Sequence, residues 1–353
     1  MSEVQTLNRN GRIRALPPSP SVAVVGATGA VGTEMIACLE RRNFPLSRLK
    51  LLASPRSAGK HVTFQNRDVR IDAMEATSLE DVDIALFSAG SAISKDFAKS
   101  APRRTVVIDN SSAFRMDEDV PLIVPEINAA AAFDHHGVIA NPNCTAVISA
   151  LALWPLHREA KIRRVIAATY QAASGAGASA MEELRASTQA YLEGRPYEPR
   201  VLPHPYAFNV FSHNDKVDLE SGANGEEIKV ARELRKIMNA PDLRIAITCV
   251  RVPVLRAHTI ALTVEFDRAL SVEAAREILS TAPGVKIIDD RAKNYFPMPR
   301  DASGQDDVLV GRLRPDPSDP TGRSLMMLVA GDQLLKGAAL NAVQIAELLM
   351  KRA

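Results

Sequence analysis

The sequence predicts an α/β chain of two domains: first an open, mostly parallel sheet wrapped by helices, then an α+β domain whose mixed sheet is mostly antiparallel. Three observations predict it. The chain has 353 residues, where a typical domain has about 150. Up to residue 140, short apolar runs without strict alternation are interleaved with helical periods, as expected of strands buried on both faces. After Cys144 longer helices and alternating strands replace that pattern.

The elements follow in order. Residues 21–25 form the first strand, and Val31, Met35, Ile36 and Leu39 fall at helical spacing behind it. Residues 49–53 form the second strand, which closes one βαβ unit, and 61–71 alternate about Asn66-Arg67 as a hairpin. Runs at 82–87, 105–108, 122–124 and 138–140 continue the open sheet. In the second domain the reading is a helix from Cys144 to about Ala160, a strand at 164–170, a Gly/Ala/Ser turn and a helix at 178–192. The stretch 194–223, with prolines and interleaved aromatics, has no regular pattern and suits an interface or a substrate-site lid. Then come a helix at 226–239, strands at 244–252 and 259–266, a helix at 272–279, and strands at 285–288, 308–313 and 325–329. The closing helix, 338–351, reads as strongly amphipathic and is expected to return to the first domain. The expected division is a mobile tail 1–20, a cofactor domain 21–140 with 338–353, and a catalytic and dimerisation domain 141–337.

Composition narrows the function. An apolar fraction of 46% with 24% charged residues is that of a globular protein. A net charge of +2 is too even for a nucleic-acid footprint or a polybasic membrane surface, so the expected partner is a small molecule. No run approaches the length of a membrane span and residues 1–20 hold no signal-peptide core, so a soluble, cytoplasmic protein is expected. Three widely spaced cysteines, Cys38, Cys144 and Cys249, argue against a disulfide scaffold. The seven histidines show no metal spacing, and no metal site is expected.

The turn Gly26-Ala27-Thr28-Gly29-Ala30-Val31-Gly32 lies between the first strand and its helix. There, backbone amides can hold a pyrophosphate and glycine lets the chain approach it, so the first domain reads as a Rossmann-like dinucleotide-binding domain. Sites for NAD place an acid near the end of the second strand to bond the ribose 2′-hydroxyl. Here that place reads Ala53-Ser54-Pro55-Arg56-Ser57-Ala58-Gly59-Lys60, with hydroxyls and cations and no carboxylate. Ser54, Arg56 and Ser57 suit a 2′-phosphate, so the expected cofactor is NADP.

Asn141-Pro142-Asn143-Cys144-Thr145-Ala146 opens the long helix. A cysteine in the first helical turn gains thiolate stability from unpaired amides and the helix dipole, which brings its pKa down from about 8.5 toward neutrality. The same amides can hold an oxyanion formed when the thiolate attacks a carbonyl. Cys38, on an apolar helix face, and Cys249, within a strand, fit packing roles.

Four segments together, Gly26 to Gly32, Asn141 to Ala146, Tyr170-Gln171-Ala172-Ala173-Ser174-Gly175-Ala176-Gly177 and Arg251-Val252-Pro253-Val254-Leu255-Arg256-Ala257-His258, resemble aspartate-β-semialdehyde dehydrogenase from about Ser21 to the last helix. The resemblance implies Cys144 as nucleophile, His258 as general acid/base and Gln171 as the side chain orienting the reacting centre. It further implies Arg251 on the substrate carboxylate, Glu226 on its amine, and Arg115 with Lys229 on phosphate. Ser174 and Gly175 are implied near the nicotinamide, Asn341 as a cofactor contact, and a homodimer through the second domain. The implied reaction is reversible reductive dephosphorylation of aspartyl phosphate to aspartate semialdehyde, in the biosynthesis of lysine, threonine, methionine and isoleucine. N-acetyl-γ-glutamyl-phosphate reductase shares the plan, but usually has Gly where Asn143 stands here. A catalytically silent dinucleotide-binding relative would be expected to lack Cys144, Gln171 or His258.

Overall fold

A computed structural model describes residues 16–98 and 101–351. The chain forms two compact units, one running to Asn143 and resuming at Ala338, the other spanning Cys144–Gly337. Residues 141–143, expected in the second domain, thus belong with the first unit. Of the expected N-terminal tail, residues 1–15 lie outside the described residues. From Leu16 the tail is not loose, because Leu16 and Pro20 are buried and the Pro20 carbonyl accepts from Ser47 N–H at 3.0 Å.

The first unit contains β1 (Ser21–Val25), α1 (Ala30–Arg41), β2 (Arg48–Ala53), β3 (His61–Phe64), β4 (Arg67–Ala73), β5 (Ile84–Phe87), α2 (Ser91–Phe97), β6 (Val106–Asp109), α3 (Pro125–Asn128) and β7 (Val138–Ala140). Its sheet runs β3-β4-β2-β1-β5-β6-β7, parallel throughout except for the β3/β4 hairpin. Every residue of β1, β5 and β6 is buried, which is why these strands show no alternation. The hairpin turns on Gln65 and Asn66, at φ 48° and 61°, one residue earlier than expected. The run 122–124 is not a strand. Leu122 makes one isolated bridge to Ala140, and prolines at 121 and 125 prevent a longer ladder. Order reverses between β2-β1 and β1-β5, so the crevice at the strand ends opens beside the glycine turn.

The C-terminal helix, Leu340–Met350, belongs to the first unit and packs on α1, α3 and β6. Two contacts mark its docking: the Arg42 guanidinium clasps Glu347 at 2.6 Å, and Gln344 Nε2 donates to Glu126 at 3.2 Å. None of its residues is fully exposed, so the helix expected to be strongly amphipathic is instead enclosed nearly all round. It begins later than expected, because the preceding turn, Leu335–Ala339, is π-helical. Gly337 N–H donates there to the Asp332 carbonyl, five residues back.

The second unit contains α4 (Cys144–Ala160), β8 (Ile162–Gln171), α5 (Ala178–Leu192), β9 (Phe211–Ser212), α6 (Gly225–Ile237), β10 (Arg244–Arg251), β11 (His258–Phe266), α7 (Val272–Ser280), β12 (Val285–Ile287), α8 (Pro299–Ala302), β13 (Val308–Pro315) and β14 (Ser324–Gly331). The sheet order is β12-β13-β14-β11-β8-β10-β9. Only β12/β13 and β8/β10 are parallel, so the sheet is mixed and mostly antiparallel as expected. Helices α4, α6 and α7 pack on it, while Ile166 and Tyr170 of β8 stay 43% and 42% exposed.

The stretch 194–223 has β9 as its one strand among the described residues, yet it is well anchored. The buried Glu183 carboxylate of α5 accepts from the backbone N–H groups of Arg200, Val201 and Leu202 at 2.6, 2.8 and 2.8 Å. Leu202, Tyr206 and Phe211 pack with Leu184, Ala180 and Ala173 into one cluster. A carboxylate supplies acceptors that an irregular backbone lacks, so this segment can be buried without a ladder.

Candidate active site

In the first unit, Gly26 adopts φ +85° and donates its N–H to the Leu52 carbonyl at 2.8 Å. A Cβ on Gly26 would stand 2.4 Å from the Ser88 carbonyl oxygen, and one on Gly32 would stand 2.1 Å from the Gly26 oxygen. Only glycine therefore allows this turn to lie so close to its neighbours. Gly29 is the N-cap of α1 and brings no side-chain cap, which leaves the first amides of Ala30, Val31 and Gly32 to an external anion. Thr28 Oγ1 donates to Ser57 Oγ at 3.4 Å, so the turn meets the loop after β2. Ser54 and Arg56 on that loop are exposed, and no acid lies between Ala53 and Lys60. These residues fit a dinucleotide.

Arg115 is buried in the first unit, with Nε donating to the Asn141 carbonyl at 3.0 Å and Nη2 to the Asn110 carbonyl at 2.7 Å. Asn341 is also buried there, and its Nδ2 donates to the Ile123 carbonyl at 2.9 Å and to Asn141 Oδ1 at 2.6 Å. Asn141 Nδ2 donates in turn to Asn110 Oδ1. Asn341, expected as a cofactor contact, is thus part of a buried amide chain that fixes the segment leading to Cys144.

In the second unit, Cys144 is the first residue of α4 and lies half-buried, its Sγ 3.6 Å from His258 Nε2. His258 is fully buried at the start of β11. Its Nδ1 accepts from Ala172 N–H at 3.0 Å, and this bond assigns the proton of the neutral ring to Nε2, facing sulfur. Burial, and then the charges of Arg251 and His213, hold the imidazole well below its ordinary pKa. His258 is a neutral donor near pH 7 in this arrangement.

Arg251, the last residue of β10, is 2% exposed and is bonded by neutral groups only: Nη1 donates to the Ala172 carbonyl at 3.0 Å and Nε to Asn214 Oδ1 at 2.9 Å. No carboxylate among the described residues lies within ion-pair distance of it, although burial lowers the pKa of its guanidinium. A buried cation with a free N–H edge calls for an anion. Glu226 in the first turn of α6 supplies the opposite sign. Its Oε1 accepts from Gln171 Nε2 at 3.1 Å, and Gln171 also donates to Thr145 Oγ1 at 3.0 Å. Gln171 therefore ties that carboxylate to the residue following the nucleophile.

The turn after β8 comes close to this group. A Cβ on Gly175 would stand 2.9 Å from His258 Cε1 and 3.0 Å from Arg251 Nη1, so glycine is required for the approach. Ser174 Oγ is taken by Gln333 Nε2, and Gln333 Oε1 accepts from Ala257 N–H at 2.9 Å. Lys229, expected on phosphate, forms an ion pair with Asp215. Sequence reasoning missed Asp215, Asn214, Thr145, Gln333 and Gly337, the last of which would place a Cβ 2.8 Å from Cys144 Cβ. The polar His213-Asn214-Asp215 run within an otherwise irregular segment was the signal available. The other cysteines pack: Cys38 and Cys249 are buried, and burial pushes the Cys249 thiol up to about 12.

Among the described residues there is no group of three or more His, Cys, Asp or Glu arranged to hold a metal ion, and no helix is long and apolar enough to cross a membrane.

Comparison with known proteins gives the family. Family models described as "Semialdehyde dehydrogenase, NAD binding domain" and "Semialdehyde dehydrogenase, dimerisation domain" match residues 21–135 and 153–336. The chain is 53% identical to the aspartate-semialdehyde dehydrogenase of a Synechocystis strain over 95% of this chain and 99% of that protein. It superposes on a crystal structure of aspartate semialdehyde dehydrogenase II from Vibrio cholerae with a TM-score of 0.91 at 41% identity, covering 94% of this chain and 99% of the other. A structure of that enzyme complexed with ASA gives a TM-score of 0.90 at 40% identity, covering 94% and 98%. Two domain matches and near full-length identity lead to one conclusion: this chain belongs to the aspartate-semialdehyde dehydrogenase family.

Proposed function

We propose that the chain is an NADP-dependent, phosphorylating aspartate-semialdehyde dehydrogenase that works through a thioester on Cys144. The observation that carries this reading is the arrangement around the thiol: a buried, carboxylate-seeking Arg251 and a buried carboxylate, Glu226, in the unit that also pairs Cys144 with His258. The substrate's α-carboxylate and α-ammonium present the complementary charges.

In the oxidative direction the Cys144 thiolate adds to the aldehyde carbon and forms a hemithioacetal alkoxide. The Nε2–H of His258 donates a hydrogen bond to that oxygen. No proton then has to move at this stage, which accords with an imidazole lone pair already occupied by Ala172 N–H. The base role that the family resemblance implies would require the ring to give up that bond. A bound nicotinamide dinucleotide supplies the two-electron oxidation that turns the hemithioacetal into a thioester. Gly26 to Gly32 would hold its pyrophosphate, and Ser54, Arg56 and Ser57 a 2′-phosphate. Phosphate, attracted by Lys229 and Arg115, attacks the thioester carbon and expels the thiolate, giving the acyl phosphate. Gln171 keeps Glu226 in place for the ammonium. In the biosynthetic direction the acyl phosphate acylates Cys144 and reduction releases the semialdehyde, feeding the amino-acid pathways named above.

On the same reading the chain is a homodimer built through the second unit. Its sheet carries exposed Ile166 and Tyr170 on β8, apolar side chains of the kind a partner subunit covers.

Purified protein should reduce NADP when given aspartate semialdehyde and phosphate, with NAD giving a lower kcat/KM. Cys144→Ser should lower turnover by at least about a thousandfold while NADP still binds. Turnover that does not depend on phosphate, or that survives in C144S, overturns the reading.

A further inference from the structure

Two cations of the second unit, Arg251 on β10 and Lys229 on α6, are each held by one residue of the same short turn. Asn214 Oδ1 accepts from Arg251 Nε at 2.9 Å, and Asp215 forms an ion pair with Lys229. The turn is itself fixed at several points. His213 N–H donates to the Cys249 carbonyl at 2.9 Å. Asp215 N–H donates to His213 Nδ1 at 3.2 Å, and Lys216 N–H to Asp215 Oδ1 at 2.8 Å. Just upstream, Phe211 of β9 pairs with Arg251 itself, so turn and guanidinium share one ladder. On the other side, Gly225 makes room: a Cβ there would stand 2.7 Å from Asp215 Oδ2. That places the Asp215 carboxylate against the N-terminal end of α6, where negative charge is favoured.

Each contact has a consequence for ligand binding. An arginine side chain has five N–H donors. Asn214 takes the Nε donor of Arg251 and the Ala172 carbonyl one Nη1 donor, which fixes the plane of the guanidinium and leaves its other N–H donors for a carboxylate. Lysine is a point charge on a flexible stem, and without a fixed partner it samples many rotamers. Asp215 narrows that range. Burial, then the neighbouring Arg251 charge, pushes His213 down to about 4, so its Nδ1 remains an acceptor for the turn near neutral pH.

We propose that the 213–215 turn is the common positioning element of the site's two anion clamps, with Asn214 setting Arg251 for the substrate carboxylate and Asp215 setting Lys229 for phosphate. This rests on the functional reading above, and goes beyond it by assigning substrate discrimination to residues that touch neither reacting atom.

The test is a split in Michaelis constants, measured in the oxidative direction with the full chain. Asn214→Ala is expected to raise KM for aspartate semialdehyde about tenfold and leave KM for phosphate within about twofold. Asp215→Asn is expected to do the reverse, and kcat is expected to change by less than about threefold in both. Asp215→Glu, which keeps the charge, is expected to restore most of the phosphate affinity lost in D215N. Should D215N fail to fold, D215E carries the same test through a smaller rise in phosphate KM alone. Both constants moving together, neither moving, or a lower phosphate KM in D215N overturns the proposal. An inactive wild-type protein overturns the functional reading instead, so the two failures are distinct.

Discussion

Gly175→Ala is the most direct probe of the site's packing. The added methyl would stand 2.9 Å from His258 Cε1, 3.0 Å from His258 Nε2 and 3.0 Å from Arg251 Nη1. Ordinary carbon contacts begin near 3.4 Å, so the imidazole or the guanidinium must retreat by about half an ångström. His258 has little freedom to do so, because it is fully buried and bonded to Ala172 N–H, and its Nε2 already stands 3.6 Å from the sulfur. Gly175 carries no positive φ, so the cost is steric and not conformational. Displacing a reacting group by up to an ångström costs as much as about a hundredfold, and overpacking a full core site costs about 1–3 kcal/mol. G175A is therefore expected to lower kcat/KM by about ten- to a hundredfold, with a melting temperature a few degrees down. Steady-state kinetics and a thermal melt on the same preparation read both. An unchanged kcat/KM at unchanged melting temperature would refute the claim that this turn is packed against His258 and Arg251.

Three further outcomes are expected. Glu183→Gln leaves three backbone donors with a weaker acceptor and should cost about 1–3 kcal/mol by urea denaturation; no loss would mean the carboxylate does not anchor the 200–202 backbone. His213 is held neutral at about 4 in the fold and titrates near 6.5 when unfolded, so the unfolded chain takes up the extra proton between those values. Its contribution to stability is therefore full above about pH 6.5 and lost as pH falls toward about 4, at about 1.4 kcal/mol per pH unit, and His213→Gln should remove that slope; an unaltered slope counts against the burial of this ring. Ile166→Asp on the exposed β8 face should shift the protein toward a monomer in sedimentation at micromolar concentration, and a dimer unaffected by it would place the interface elsewhere.

What the sequence disclosed was mostly local. The β1 strand, its glycine turn and α1 are adjacent in the chain, so Gly26 to Gly32 could be interpreted from spacing alone. Cys144 at a helix start is equally local. The β3/β4 hairpin was placed one residue late, since Gln65 is an unusual turn residue and only its φ of 48° reveals the true centre. The run 122–124 misled because three apolar residues between prolines look like a strand, while a ladder needs donors that proline lacks. Asn214 could not be found, because its partner Arg251 is 37 residues away and the intervening helix gives no register. The bonds of Asn341 were hidden for a related reason. Its bonds to Ile123 and Asn141 span 218 and 200 residues, and an asparagine at a helix start looks the same whether it faces a ligand or a buried carbonyl.

Ala172 has a consequence that reaches beyond geometry. Its N–H serves the imidazole lone pair of His258, and its carbonyl serves Arg251 Nη1. One residue thus joins a titratable ring to a cation with no carboxylate at ion-pair distance among the described residues. Should Nδ1 gain a proton, the amide loses its acceptor, and the backbone that braces Arg251 is free to shift. Whatever anion Arg251 grips must then feel the protonation state of His258, and by thermodynamic reciprocity His258 must feel the anion to the same extent. Substrate affinity and proton affinity become two readings of one coupling free energy, carried across a single backbone residue.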